Sequence, residues 1–216
     1  GYYANSDDEE GLIKARDFHL EVFDKYKNIF NPKVTVPFAS FVYFCKNANK
    51  FLNDYIITPQ EIDRRYSSQN VFFLKPGDTE AACSEEYRQE NVNYWQQRFE
   101  ADKKIFDHKL VGIDRIKTAF DKFLEKNQKP LELQNVNLYL LDHDLTVEFD
   151  YLRNEVSSHP GRAENNIAEV YSEDLYGYYA FPWGADTLNI TSCFKVIDHQ
   201  NWSRFLVGKD ALYERF

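Results

Sequence analysis

The sequence predicts an α/β layer over residues 1–83 followed by an α+β domain over residues 84–216. Two observations predict the order. The first stretch alternates helical and strand-like patterns, the signature of an α/β layer. From Ser84 the pattern changes to two long helical stretches and then to period-two alternation. A third observation predicts that the chain folds at all. Hydrophobic residues make up 43% of its 216 residues and aromatics 17%, with 18 Phe and 15 Tyr. That is enough apolar surface to offset the entropy of ordering a chain of this length.

Leu12, Ala15, Phe18, Val22, Tyr26 and Phe30 recur at steps of three and four, predicting an amphipathic helix over 12–30 that faces the core through these residues. Asp7 to Glu10 suit its N-terminal dipole, and Pro32 prevents continuation. Val34-Thr35-Val36 and Phe38 to Phe44 predict a buried strand feeding a loop. Thr58-Pro59-Gln60-Glu61 is a helix start, with a capping hydroxyl and Pro at the first helical position. Val71 to Leu74 predicts a second strand, closed by the turn Lys75-Pro76-Gly77-Asp78.

Beyond Ser84, Val92, Trp95 and Phe99 mark one helix, and Ile113, Ile116, Phe120, Phe123 and Leu124 another. Val136–Leu141 and Leu145–Phe149 alternate around Asp142-His143-Asp144 and predict a hairpin with an acidic turn. A short strand over 167–170, a helix over 172–180, a long strand over 187–197 and a terminal helix over 201–207 complete the prediction.

The formal charge is −9 and the pI about 5.1, without a run of Lys or Arg that could track phosphates. Nucleic acid and anionic membranes are therefore not expected as partners. No apolar run is long enough to span a bilayer. Cys45, Cys83 and Cys193 are odd in number and widely spaced, which predicts reduced thiols and a cytoplasmic location. The chain opens with Gly and contains no Met, which predicts that residues bearing on function precede it.

No G-x-S-x-G elbow, phosphate-binding loop or dinucleotide fingerprint occurs. Asp142-His143-Asp144 reads as a solvated hairpin turn, since three adjacent side chains on a tight turn cannot converge on one ion. His19, His108, His159 and His199 are isolated and are read as packing, loop or helix-end residues, so no metal ligand is assigned. Two segments stand out. In the first, an apolar strand runs past Ser40 into Asn47, Asn49, Asn53 and Asp54, which is either the polar carboxyl end of a strand at a cleft or ordinary Asn turn chemistry. The second, Phe181 to Leu188, reads foremost as a helix-to-strand turn with Trp183 sealing the core. The other reading is a ligand pocket lined by Trp183 and Asp186.

Pro32 to Phe41, Asn49, Leu52-Asn53-Asp54, Thr58-Pro59 and Lys75-Pro76-Gly77-Asp78-Thr79 together resemble the carboxy-terminal half of a metallo-β-lactamase-fold subfamily. The subfamily is that of the UlaG-like hydrolases and the CMP-N-acetylneuraminate hydroxylase group. Residues 181–188 look like the C-terminal extension of such proteins, loosely sterol-carrier-like. The resemblance implies a partial αββα half-sandwich over residues 1–83 and, in a longer parent, zinc or another divalent metal activating water. The family's His-x-His-x-Asp-His ligand motif is absent from this sequence, and Lys46 stands where relatives carry a His. On this reading the chain is not catalytically complete. Lys46, Asn49 and Asp54 are the candidates for catalytic positions, and Ser40, Asn53, Trp183 and Asp186 for binding. The alternative is a non-catalytic module that takes a lipid or sugar-nucleotide, and an uncovered half-sandwich would also favour self-association.

Overall fold

Strict alternation builds the sheet. Val136, Leu138 and Leu140 on β1 (Asn135–Leu140) are fully buried, and their register partners Phe149, Val147 and Leu145 on β2 (Leu145–Asp150) share that face. Two helices bury against it: α4 (Ile113–Lys126) through Ile116, Phe120 and Phe123, and α5 (Ser172–Ala180) through Leu175, Tyr178 and Tyr179. Phe120 sits 5.1 Å from Phe149 and 5.2 Å from Tyr179, ring centroid to centroid. The sheet is completed by β3 (Glu155–Pro160), β4 (Ala168–Val170) and β5 (Phe194–Val196), in the order β3-β2-β1-β4-β5. All pairs are antiparallel except β1 with β4.

The structure, a computed structural model, describes residues 5–37, 42–126 and 134–210. The protein is a mixed α/β protein of two compact units. Unit 1 holds residues 1–7, 46–49 and 106–216, and unit 2 holds residues 8–45 and 50–105. Residues 85–105 thus belong with the segment that precedes them. The remaining helices of unit 1 are α6 (Gly184–Thr191) and α7 (His199–Asp210).

The strand predicted over 187–197 is mostly helix. Ala185 and Leu188, three apart, bury one face of α6, and Ser192 ends it in the left-handed region at φ 53°. Only Phe194–Val196 is extended, pairing with β4. Trp183 does not seal the core: it is 61% exposed.

Unit 2 is helical. α1 (Glu9–Phe30) is capped by Asp8, which accepts from Gly11 N at 2.9 Å. Its buried residues are Leu12 and Leu20, while Phe18, Tyr26 and Phe30, expected toward the core, are exposed. α2 (Pro59–Tyr66) starts as the sequence predicts, with Thr58 Oγ1 accepting from Glu61 N. α3 (Glu85–Glu100) packs with α2, and Leu20, Ile62, Tyr66, Val71, Phe73 and Val92 form the core.

The strands predicted at 34–36 and 71–74 make a single bridge, Thr35 with Val71. The reason lies in α3, whose side chains take the carbonyls a neighbouring strand would use. Arg88 donates to Val71 O at 3.0 Å, Asn91 to Phe73 O at 2.7 Å and Trp95 to Leu74 O at 2.9 Å. A carbonyl row satisfied by side chains needs no ladder. Residues 42–45 form no strand, and residues 38–41, including Ser40, lie outside the described residues. Among the described residues of unit 2 there is no sheet to serve as the expected half-sandwich.

Candidate metal centre

The carboxyl end of β4 and the start of β5 lie side by side, because Val170 pairs with Phe194. The next residue along β4 is Tyr171, which opens α5, and the residue before β5 is Cys193. This register places Asp174, in the first turn of α5, near the Cys193 thiol. A third segment, 106–112, runs past the same end. Val111 N donates to Ser172 Oγ at 2.8 Å and Lys109 N to Glu173 Oε2 at 3.1 Å, and these two bonds fix the stretch just after His108 against the start of α5. The His108 ring stacks flat on Tyr171, with centroids 3.8 Å apart and planes within 3°.

The result is a cluster of three donors, His108, Asp174 and Cys193, whose ligand atoms all lie within 4.8 Å of one another. The His108 side chain is 4% exposed and that of Asp174 13%, and Cys193 is 1% exposed. His108 Nε2 and Asp174 Oδ2 approach to 2.8 Å. Yet both atoms are buried and neither makes an aligned hydrogen bond among the described residues. Buried polar atoms in this state are uncommon and call for a proton or a cation between them. A zinc ion takes Nε2, a carboxylate oxygen and a thiolate at about 2.0–2.3 Å, so its ligand atoms stand roughly 3.3–3.8 Å apart. The three atoms reach that spacing by movements of about an ångström or less.

The electrostatics suit a cation. Burial, reinforced by Asp174, pushes the Cys193 thiol up to about 12. Burial and then the negative groups around it, Cys193, Asp142, Asp174 and Asp107, raise the Tyr171 phenol. Lys46 is the opposing charge, and its Nζ is held by Glu173 Oε2 at 2.5 Å. Glu173 resists its own burial because Lys46 and the Lys109 N–H keep its carboxyl below the usual range. A thiol pushed so far up is no nucleophile at neutral pH. The same thiol ionises when a metal displaces its proton.

The candidates from the sequence fall in separate places. Lys46 joins the edge of this cluster through Glu173. Asn49 is 3% exposed and braces it: Nδ2 donates to Thr191 O at 2.7 Å and Oδ1 accepts from Lys46 N at 3.0 Å. Asn53, in unit 2, clamps the Phe44 backbone with both ends of its amide, and Asp54 beside it is exposed. Asp186 is exposed in the first turn of α6. The Asp142-His143-Asp144 turn is not merely solvated. Asp142 accepts from Ser172 N and Oγ, His143 Nε2 meets Val111 O at 2.8 Å, and Asp144 accepts from Tyr139. That turn holds α5 and the 106–112 segment, and through them the donors.

No family model, curated protein or solved structure matches this chain. The reading of the centre therefore rests on its chemistry.

Proposed function

We propose that this chain is a metal-binding module, in which His108, Asp174 and Cys193 take up a divalent transition metal of the zinc class. One observation carries the reading: among the described residues, His108 Nε2 and Asp174 Oδ2, buried and 2.8 Å apart, lack aligned hydrogen bonds beside a buried thiol. Imidazole, carboxylate and thiolate together are a donor set for zinc, whereas calcium and magnesium take oxygen alone. The enclosure of the three donors suits a structural ion better than an open catalytic one. Cobalt(II), a spectroscopic stand-in for zinc, should bind one per chain. It should give a near-ultraviolet thiolate charge-transfer band and the visible bands of a four-coordinate ion. Cys193→Ser should abolish the first and weaken binding by at least about tenfold, about 1.4 kcal/mol. Stoichiometric cobalt spectra that persist in both Cys193→Ser and His108→Ala would overturn the proposal, as would no uptake by the parent chain.

A second reading keeps the hydrolase resemblance, with this chain as the carboxy-terminal part of a metallo-β-lactamase-fold protein. The position that the resemblance gives to a family His is Lys46, and Lys46 lies at the edge of this cluster. On that reading the chain has no hydrolytic activity with zinc. Turnover of a phosphodiester or lactone that chelator abolishes would refute that second reading.

A further inference from the structure

A concave site in unit 1, away from the three donors, lies between α4 and the end of α5. It is a groove of about 410 Å³, floored by Phe123, Tyr176 and Tyr179 and edged by Arg115, Lys122 and Lys126. The three cations share one face of α4 at helical spacing, and Ala119 between them leaves the space open. Among the described residues no carboxylate lines the groove, although the chain carries 35 acidic residues against 26 basic ones. The acids of α4 itself, Asp114, Asp121 and Glu125, lie outside the lining. Among the described residues none of Arg115, Lys122 or Lys126 is in an ion pair. Unpaired cations gathered over a concave apolar floor, in a protein with acid to spare, mark a place that takes an anion.

The floor also specifies the body of the ligand. The Arg115 guanidinium stands 4.8 Å over the Tyr176 ring. Phe181 meets Tyr176 edge-on at 6.5 Å, and Trp183 stacks on Phe181 at 5.8 Å with planes 11° apart. Phe181 and Trp183 are 45% and 61% exposed. The rings therefore form a ladder leading away from the cations, with the 61% exposed Trp183 at its outer end. We infer that this groove binds a nucleoside di- or triphosphate, the phosphates against Arg115, Lys122 and Lys126 and the base against the aromatic ladder. The volume suits a ligand of that size rather than an extended peptide.

ADP, adenosine and inorganic pyrophosphate are the probes, measured by calorimetry in the presence of EDTA so that the metal centre plays no part. ADP is expected to bind with Kd below about 1 mM and at least about tenfold more tightly than either half alone. Raising salt should weaken it. The double substitution Lys122→Gln/Lys126→Gln, on exposed positions, should weaken ADP about tenfold and leave circular dichroism unchanged. Trp183→Ala should weaken ADP but not pyrophosphate. Absence of ADP binding at about 5 mM would overturn the inference. So would equal binding of pyrophosphate, which leaves the rings without a role, or indifference to the double substitution.

Discussion

At the scale of single residues, Cys193 carries the pH behaviour. Its thiol is raised by burial from an ordinary value near 9 to about 12. The folded chain thus holds a proton that the unfolded chain releases earlier. Stability from this group is full below about pH 9 and is lost as the pH climbs toward about 12. Denaturant titrations of the metal-free protein should show that decline, and Cys193→Ser should lessen it, the remainder coming from the Tyr66, Tyr151, Tyr171 and Tyr179 phenols, which burial raises in the same sense. Metal binding runs in the opposite sense. The ion displaces the thiol proton, so affinity should rise about tenfold per pH unit for that proton alone. A pH-independent affinity would mean that the thiol is not a ligand. None of this was legible in the sequence. His108, Asp174 and Cys193 stand 66 and 19 positions apart (108 to 174, 174 to 193), so no ligand spacing betrays them. The usable hints were weak: an Asp in a first helical turn and a Cys at the edge of a strand. Asn49 did attract notice as a strand-end group and Lys46 as the residue in place of a family His, rather than as the brace and counter-charge they are.

Among the elements, the ones with a local cause were readable. Thr58-Pro59 starts α2 where the capping rule puts it, and the Val136–Leu141 alternation is a strand with its partner just beyond the turn at 141–144. Thr58→Ala should cost about 1 kcal/mol by removing the acceptor for Glu61 N, seen as a lower denaturation midpoint with unchanged m-value. Asp142→Ala should cost about 1–2 kcal/mol, because it strips Ser172 N and Oγ of their acceptor at the start of α5. It should also weaken cobalt uptake, since α5 carries Asp174. The elements misread are those decided by distant side chains. Val71–Leu74 has a strand's composition, but Arg88, Asn91 and Trp95 claim its carbonyls. Thr187–Thr191 has β-branched residues, yet the burial of Ala185 and Leu188 makes it helix.

For the whole molecule, the composition foretold a real core and the order of helical and strand patterns foretold a mixture of helix and sheet, and the core of unit 1 is the larger of the two. Phe120 is fully buried among Phe149, Tyr151 and Tyr179. Phe120→Ala should cost about 3–5 kcal/mol, measured by denaturant unfolding of the metal-free protein, and a change under about 1 kcal/mol would contradict the packing described. No helix among the described residues is long and apolar enough to cross a membrane.

Unit 1 is stitched from stretches made at very different times. Val196 N donates to Asn5 Oδ1, Lys195 pairs with Asp7, and Asn49 waits to donate to Thr191 O. A ribosome adding about 5–20 residues per second releases residue 196 roughly 10–40 s after residue 5. Throughout that interval the early stretches have nothing to close against, and the Cys193 thiol does not yet exist. The metal would then enter a site that cannot assemble until Cys193, the last of its three donors, has been translated, which couples loading to a late stretch of unit 1 rather than to its first ones.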